Sequence, residues 1–482
     1  MSTSSENRVL RRTKIVATLG PATDDSKVLE QLILAGLNVA RLNFSHGIAA
    51  DHIKRAHEVA RISKKVNKHV AILADLQGPK IRIAQFKDGS VILDENKPFI
   101  IDVELDPSIG DINQVGCIYK PLAKDVKPDN LLLLDDGRIV LKVVQIEGSK
   151  IHCTVEVGGQ LSNNKGINLQ GGGLSADALT EKDIQDIQTA VEISADFIAV
   201  SFPRNAQDMI KAREIINNAG SEACLVAKIE RAEAIDEIDE IIEASDVIMV
   251  ARGDLGVEIG DAALPPVQKM LISKARSMNT AVITATQMME SMINNPIPTR
   301  AEVFDIANAV ADGTDAVMLS AETSIGKHPL KTIEAVHRIC LTAEKQKSQT
   351  SSRHRIGHRF QRLDESIAMS AMYIANHSDI SAIATYTESG STAMRMSRIS
   401  SGIPIIAMAP YGEVCRKLAI YRGVQPLLLA RPEQGDKEIH MAAIDKMKNA
   451  KIVNKDDLVI ITTGEVIGDI GGTNNLKILQ VT

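Results

Sequence analysis

The chain holds 482 residues, 44% hydrophobic and 24% charged, the balance of an ordinary soluble globular protein with two to four domains of about 100–200 residues each. Aromatics make up 2%, Trp is absent and the net charge is −6, which excludes the stacking platforms and basic field of a nucleic-acid binder and any general attraction to anionic membranes. Five scattered cysteines without a C-x-x-C pair argue against a zinc or disulfide framework. With no apolar leader in Met1–Lys14 and no run of about 18 apolar residues, a cytoplasmic protein is expected.

In chain order, short apolar runs predict strands over 14–20, 38–45 and 69–76, separated by amphipathic helical stretches. About a hundred residues then intervene, too many for a loop. Their β-rich runs, Lys97–Leu105, Asn130–Leu134 and Ile139–Gly148, with a turn at Asp136–Gly137, predict an inserted small β-barrel domain over 79–172. Thr180–Ser194 reads as a helix, with Thr180 as its N-cap and an acidic first turn. Strands follow over 197–202, 224–230, 247–255, 281–288 and 316–322, with a helix opening at Pro265–Pro266. The eight strands alternate with helices, which predicts a (β/α)8 barrel built from 1–78 and 173–348. Because the insertion leaves from the strand end where barrel active sites lie, it is expected to act as a lid. The polar, basic stretch Lys345–Arg362 reads as a linker. From 349 to 482, strands near Ala382–Thr387, Pro404–Pro410 and Leu458–Gly464 alternate with helices such as Asp364–Asn376 and Glu413–Tyr421, an open α/β domain.

The predicted barrel strands begin apolar and end polar: Asn43 and Ser45, Asp75, Ser201, Lys228 and Glu230, Arg252 and Asp254, Thr284 and Thr286, Ser320 and Glu322. One such residue is an ordinary loop cap, but seven strands of eight delivering ionisable or hydroxyl groups at one end point to a site. Glu230 and Asp254 are the hard carboxylates that Mg²⁺ takes, with water and substrate oxygens completing its shell. A lysine beside them, Lys228, with Arg41 and Arg82 in reach, suits phosphoryl transfer, where catalysis is largely positioning and neutralisation of charge. Gly253 lets backbone N–H groups approach an anion. Thr286 and Ser320 are hydroxyls for the substrate or a proton-relay water.

The stretches RRTKIVATLGPA (11–22), NVARLNFSHG (38–47), ADLQGPKIR (74–82), KGINL (165–169), AKIER (227–231), MVARGDLGVEI (249–259), ITATQMMESM (283–292), PTRAE (298–302) and MLSAET (318–323) resemble the pyruvate kinase family closely and in order. The likeness continues to GGTNNLKILQV (471–481). It implies transfer of the phosphoryl group of phosphoenolpyruvate to ADP. Arg41 then binds that phosphoryl group, Glu230 and Asp254 ligate Mg²⁺, and Lys228 stabilises the transferring phosphoryl and the enolate. Gly253, Asp254 and Thr286 fall on the substrate-carboxylate and enolate side, with Ser320 nearby. Asn43, Ser45, His46, Arg82 and Lys165 fall on the nucleotide side. A homotetramer is implied by resemblance alone.

In many of these relatives a potassium ion is held by residues matching Asn43, Ser45 and Asp75 and the backbone oxygen of Leu76, and a glutamate stands at the position of Lys80. A fixed ammonium there repels K⁺ by about 4 kcal/mol at ~4 Å and an effective dielectric near 20, so Lys80 is expected to replace the ion and make K⁺ unnecessary. In the C-terminal domain the hydroxyl-rich loop Thr387, Ser389, Gly390, Ser391 and Thr392 is expected to hold a phosphorylated allosteric effector, with Gly471–Asn475 closing over it. Only Arg395 and Arg398 follow on the helix, so a monophosphate such as AMP or a pentose phosphate is favoured over fructose 1,6-bisphosphate. Two other readings compete: a lyase or aldolase acting on a pyruvate enolate, against which Lys165, Arg82 and the long insertion argue, and a silent metabolite sensor, against which the intact Lys228, Glu230, Asp254 and Thr286 argue.

Overall fold

In a computed structural model, residues 10–346, 359–360, 362–431, 435–464 and 471–482 are described; most of the expected linker lies outside them. Eight parallel strands close a barrel: Lys14–Thr18, Val39–Asn43, Ala71–Asp75, Phe197–Val200, Cys224–Ile229, Val247–Ala251, Ala281–Ala285 and Ala316–Leu319, each paired with the next and the last with the first. The sequence ran most of these strands past their true ends. Residues 252–255 are no longer strand: they open a helix, Arg252–Ile259, which places Asp254 in a first helical turn.

Alternation along each strand explains the packing. Val16, Val39, Leu73, Ala199, Val226 and Met249 fill the barrel interior, while their neighbours Ile15, Ala17, Ala40, Leu42 and Ile72 face the surrounding helices. The helix expected at Thr180 spans Glu181–Glu192, and the Thr180 side chain accepts the Asp183 N–H in a capping box.

Between the third and fourth strands the insertion forms a six-stranded mixed sheet and a two-stranded sheet around a core of its own. Its hairpin turns at Asp135, Asp136 and Gly137, all with positive φ. The C-terminal domain is a five-stranded sheet, four strands parallel and the last, Thr473–Gln480, antiparallel. Sequence reading had missed that strand, the strand Val424–Leu428 and the helix Gly435–Asn449. Among the described residues no helix is long and apolar enough to cross a membrane.

The base of the barrel carries a fourfold device. The residue just before each even-numbered strand, Asn38, Asp196, Asp246 or Asp315, accepts a backbone N–H from the preceding odd strand, at Ile15, Ile72, Leu225 and Val282, over 2.7–3.0 Å. Each side chain also meets an arginine: Arg11, Arg416, Arg213 and Arg398 in turn. Arg416 and Arg398 belong to the C-terminal domain, which is thereby bolted to the barrel floor, and Ile420 of that domain is buried against the interior core. Asp315 and Arg398 are each 1% exposed, and Asp315 also accepts the Arg422 N–H at 2.9 Å. Removing one partner of such a pair strands a buried charge, so Asp315→Ala should destabilise the protein by about 3–5 kcal/mol. Denaturant unfolding tests this, and a loss under about 1 kcal/mol would show that the floor does not depend on this pair.

Candidate active site

Two-residue periodicity carries the interior face of each strand out to the barrel mouth. From Val16 it reaches Thr18, from Val39 it reaches Arg41 and Asn43, from Leu73 it reaches Asp75, from Ala199 it reaches Ser201, from Val226 it reaches Lys228 and Glu230, and from Met318 it reaches Ser320. The apolar interior therefore ends in a layer of polar groups.

Asp75, fully buried, organises that layer. Its Oδ2 accepts from Arg41 Nε at 2.6 Å, and its Oδ1 lies 3.3 Å from the Lys228 ammonium. Arg41 also donates to Thr18 Oγ1 at 2.8 Å. Lys228 reaches Glu230 Oε1 at 2.9 Å and donates to Ser201 Oγ at 2.7 Å, and Ser201 in turn donates to the Leu76 carbonyl at 2.8 Å. Burial acts to lower the Lys228 pKa, but the charges of Asp75 and Glu230 outweigh it and hold the ammonium protonated. Burial acts to raise the Asp75 pKa, and the two cations reverse it to a net depression. Glu230 differs: burial, with the Asp254 charge adding to it, pushes its carboxyl up to about 7 against the pull of Lys228. Its Oε2 is fixed by the Phe202 N–H at 2.9 Å.

The other wall breaks the strand pattern. Thr286 and Gln287 have φ of +65° and +55°, a strained region for a β-branched residue and a mark of sites whose geometry is imposed by their surroundings. Arg252 supplies the constraint: its Nη2 donates to the Thr286 carbonyl at 2.6 Å, its Nε to the Ala285 carbonyl at 3.2 Å, and its Nη1 pairs with Asp305 at 2.7 Å. Thr286 Oγ1 accepts the Gly253 N–H at 2.8 Å, which brings Gly253 and Thr286 together. Ser320 contributes its backbone N–H to Glu322 at 2.6 Å, and Glu322 also accepts from Met289 N at 3.1 Å.

Lys80 takes an unexpected position. Its ammonium was expected beside Asn43, Ser45 and Asp75; it lies 3.3 Å from Asp254 Oδ1 instead, with its Cε against Gly166 of the insertion. Asn43 Oδ1 accepts the Ser45 N–H at 3.2 Å, and Ser45 and His46 are exposed at the mouth. Arg82 donates to the Asn164 carbonyl at 2.9 Å and Lys165 pairs with Asp135 at 2.7 Å. Both are held within the insertion, and among the described residues no hydrogen bond or ion pair joins them to the Asn43–His46 loop. In the C-terminal domain, Thr387 Oγ1 accepts the Gly390 N–H at 2.9 Å, and Thr392 meets Thr473 at 2.8 Å. Ser389 is exposed and Ser391 half-buried.

Sequence reading placed Ser201 and Arg252 at strand ends without giving either a role, and passed over Thr18 and Asp305. The period-two step from Val16 would have found Thr18. Nothing local marks Asp305, which meets Arg252 only through the fold.

Family models of the pyruvate kinase barrel domain and the pyruvate kinase alpha/beta domain match residues 10–333 and 365–479. The chain is 55% identical to pyruvate kinase II of Salmonella typhimurium over 98% of its own length and 100% of that protein. It is 56% identical to a pyruvate kinase of Haemophilus influenzae over 95% and 96%, and 40% identical to one of Staphylococcus aureus over 97% and 80%.

Among the described residues the Ser201 hydroxyl is the one neutral hydrogen-bond partner of the Lys228 ammonium, and hydrogen bonds to charged groups are worth about 1.5–3 kcal/mol. Ser201→Ala should therefore lower the turnover rate roughly 10–100-fold with little change in KM. An unchanged turnover rate would remove Ser201 from the site.

Proposed function

The chain belongs to the pyruvate kinase family and is a phosphotransferase, and from that premise we propose the division of labour among its residues. The observation that carries it is the Lys228 ammonium, fixed between Asp75, Glu230 and Ser201 beside Arg41. Arg41 and Lys228 receive the phosphoryl group of phosphoenolpyruvate and neutralise its oxygens, and the Gly253–Asp254 helix start and Thr286 hold the carboxylate and enolate side. The bond from phosphorus to the enol oxygen breaks as a bond to a β-phosphate oxygen of ADP forms. The enolate left behind takes a proton at carbon to give pyruvate. Asn43, Ser45, His46, Arg82 and Lys165 serve the nucleotide, and closure of the insertion excludes water that would otherwise accept the phosphoryl group.

Glu230 and Asp254 fit a divalent cation of the Mg²⁺ type. They are two carboxylates whose mutual charge contributes to the raised Glu230 pKa, and with no group of three or more protein ligands among the described residues, water and substrate oxygens must complete the shell, as Mg²⁺ accepts. Held by Glu230 and Asp254, such a cation would neutralise charge on the phosphate oxygens. Formation of pyruvate from phosphoenolpyruvate and ADP with Mg²⁺, followed by coupled lactate dehydrogenase, tests the reading; no pyruvate would refute it.

Three finer assignments go with it. K⁺ is not required: Lys80 already places a cation at the metal-bearing edge, and Asp75 already faces two cations. Activity in K⁺-free, Na⁺-free buffer should be high and Lys80→Glu should create a requirement, whereas a strong rise on adding K⁺ to the wild type would contradict this. The effector is a monophosphate, because Arg395 is spent on Asp364 and Glu365 and Arg398 on Asp315, leaving neither for a second phosphate. Activation by fructose 1,6-bisphosphate and not by AMP or a pentose phosphate would overturn that. The homotetramer is supported by large apolar side chains left exposed, Ile297 just before the helix Arg300–Asp312, Phe304 within it and Ile325 after the short helix Ala321–Ser324, 72%, 69% and 64% exposed; a monomer by sedimentation at assay concentration would dismiss it.

A further inference from the structure

The insertion joins the barrel by two strands of chain, and they are held differently. The outgoing strand is pinned on the barrel side at Gly78, whose N–H donates to Asp183 at 2.9 Å and which is packed too tightly on Ser201 to carry a side chain. On the insertion side it pairs at Ile81, whose carbonyl accepts from Ile167 N at 2.9 Å. The returning strand passes through Gly171, Gly172 and Gly173, three consecutive residues with φ of +83°, +82° and +105°, a conformation that glycine alone adopts without strain.

This glycine segment is gripped by the segments that bear the two carboxylates assigned to the metal. Glu233, three residues after Glu230, accepts the Gly173 N–H. Arg231, next to Glu230 and 4% exposed, donates to the Leu174 carbonyl at 2.9 Å. The carbonyl of Glu258, at the far end of the helix that begins with Arg252 and Asp254, accepts the Gly171 N–H at 3.0 Å. The Glu258 carboxylate accepts from Ala232 N at 2.9 Å and Asn168 Nδ2 at 3.4 Å, tying the two segments and the insertion together. Glu233 lines the cleft between the hinge strands, together with Lys80, Phe202 and Arg231. Its Oε2 is buried with no hydrogen-bond partner, and it stands where a side chain on Gly172 would have to go. Nothing in the phosphoryl-transfer chemistry uses Glu233.

We propose that Glu233 is a positioning residue: by holding Gly173 it sets the angle at which the insertion presents its nucleotide-side residues, and it links that angle to the Glu230 segment. This rests on the pyruvate kinase reading for its kinetic readout but not for its structural one. The segment should lose its grip when the acceptor is removed and keep it when only the charge is removed. Hydrogen–deuterium exchange of the metal-free, substrate-free protein, read at the peptides covering 171–175, should therefore be about tenfold faster in Glu233→Ala and near wild type in Glu233→Gln, whose amide oxygen still accepts. In steady-state assays of the full chain Glu233→Ala should raise the KM for ADP roughly tenfold and leave the KM for phosphoenolpyruvate within about twofold, with Glu233→Gln again close to wild type. Gly172→Ala, which forces the Glu233 carboxylate aside, should reproduce the Glu233→Ala pattern. Unchanged exchange in Glu233→Ala would overturn the proposal. So would equal rises in both KM values, or a rise in the KM for ADP in Glu233→Gln as large as in Glu233→Ala. Failure of the wild type to make pyruvate would count against the functional reading and leave the exchange result standing.

Discussion

A lysine ammonium at the mouth of an aliphatic barrel is the constraint on which the rest depends. Lys228 is tolerable there only because Asp75 and Glu230 face it at 3.3 and 2.9 Å, since an isolated buried charge costs several kcal/mol. Asp75 is tolerable in turn because Arg41 shares it. The four groups cannot be assembled singly. They arrive together because parallel strands in register bring second, third and fifth strand ends to one rim, and because the step from Val226 to Lys228 to Glu230 keeps one face. The result is a fixed positive charge in a low-dielectric setting, an arrangement that suits the proposed stabilisation of a developing anion without prior reorganisation.

The opposite rim shows the same logic applied to stability. Asn38, Asp196, Asp246 and Asp315 satisfy N–H groups that the barrel leaves open at its floor, and two of their arginines come from the C-terminal domain. That domain therefore touches the bases of the strands whose tops carry Ser201 and Ser320. The helix Ser391–Ser397 begins beside the hydroxyl-rich Thr387–Gly390 loop and ends at Arg398, in the Asp315 pair. Chemistry occupies one rim and attachment the other, which is the division expected of this barrel class.

Much of this was legible in the chain. Eight apolar runs with polar ends located the barrel, its insertion and its active rim, because period-two alternation and strand polarity are local. Strand ends were read too long wherever a helix begins at once, as at Arg252, since a residue such as Gly253 carries no period of its own. Lys80 shows the limit more sharply. The family resemblance set its ammonium beside Asn43, Ser45 and Asp75, but the turn at Gly78 and the insertion against Gly166 send it to Asp254, a partner 174 positions away. The grip of Glu233 on Gly173 is likewise invisible until the hinge is folded.

Asp75, which the proposed reaction does not consume, holds both Arg41 and Lys228 in place. The most direct measurement is kcat/KM for phosphoenolpyruvate in Asp75→Asn, which keeps the shape and removes the charge, with folding checked by circular dichroism. The expected result is a fall of about 10²–10³-fold in a protein that remains folded. A folded Asp75→Asn protein with kcat/KM within about threefold of wild type would contradict it.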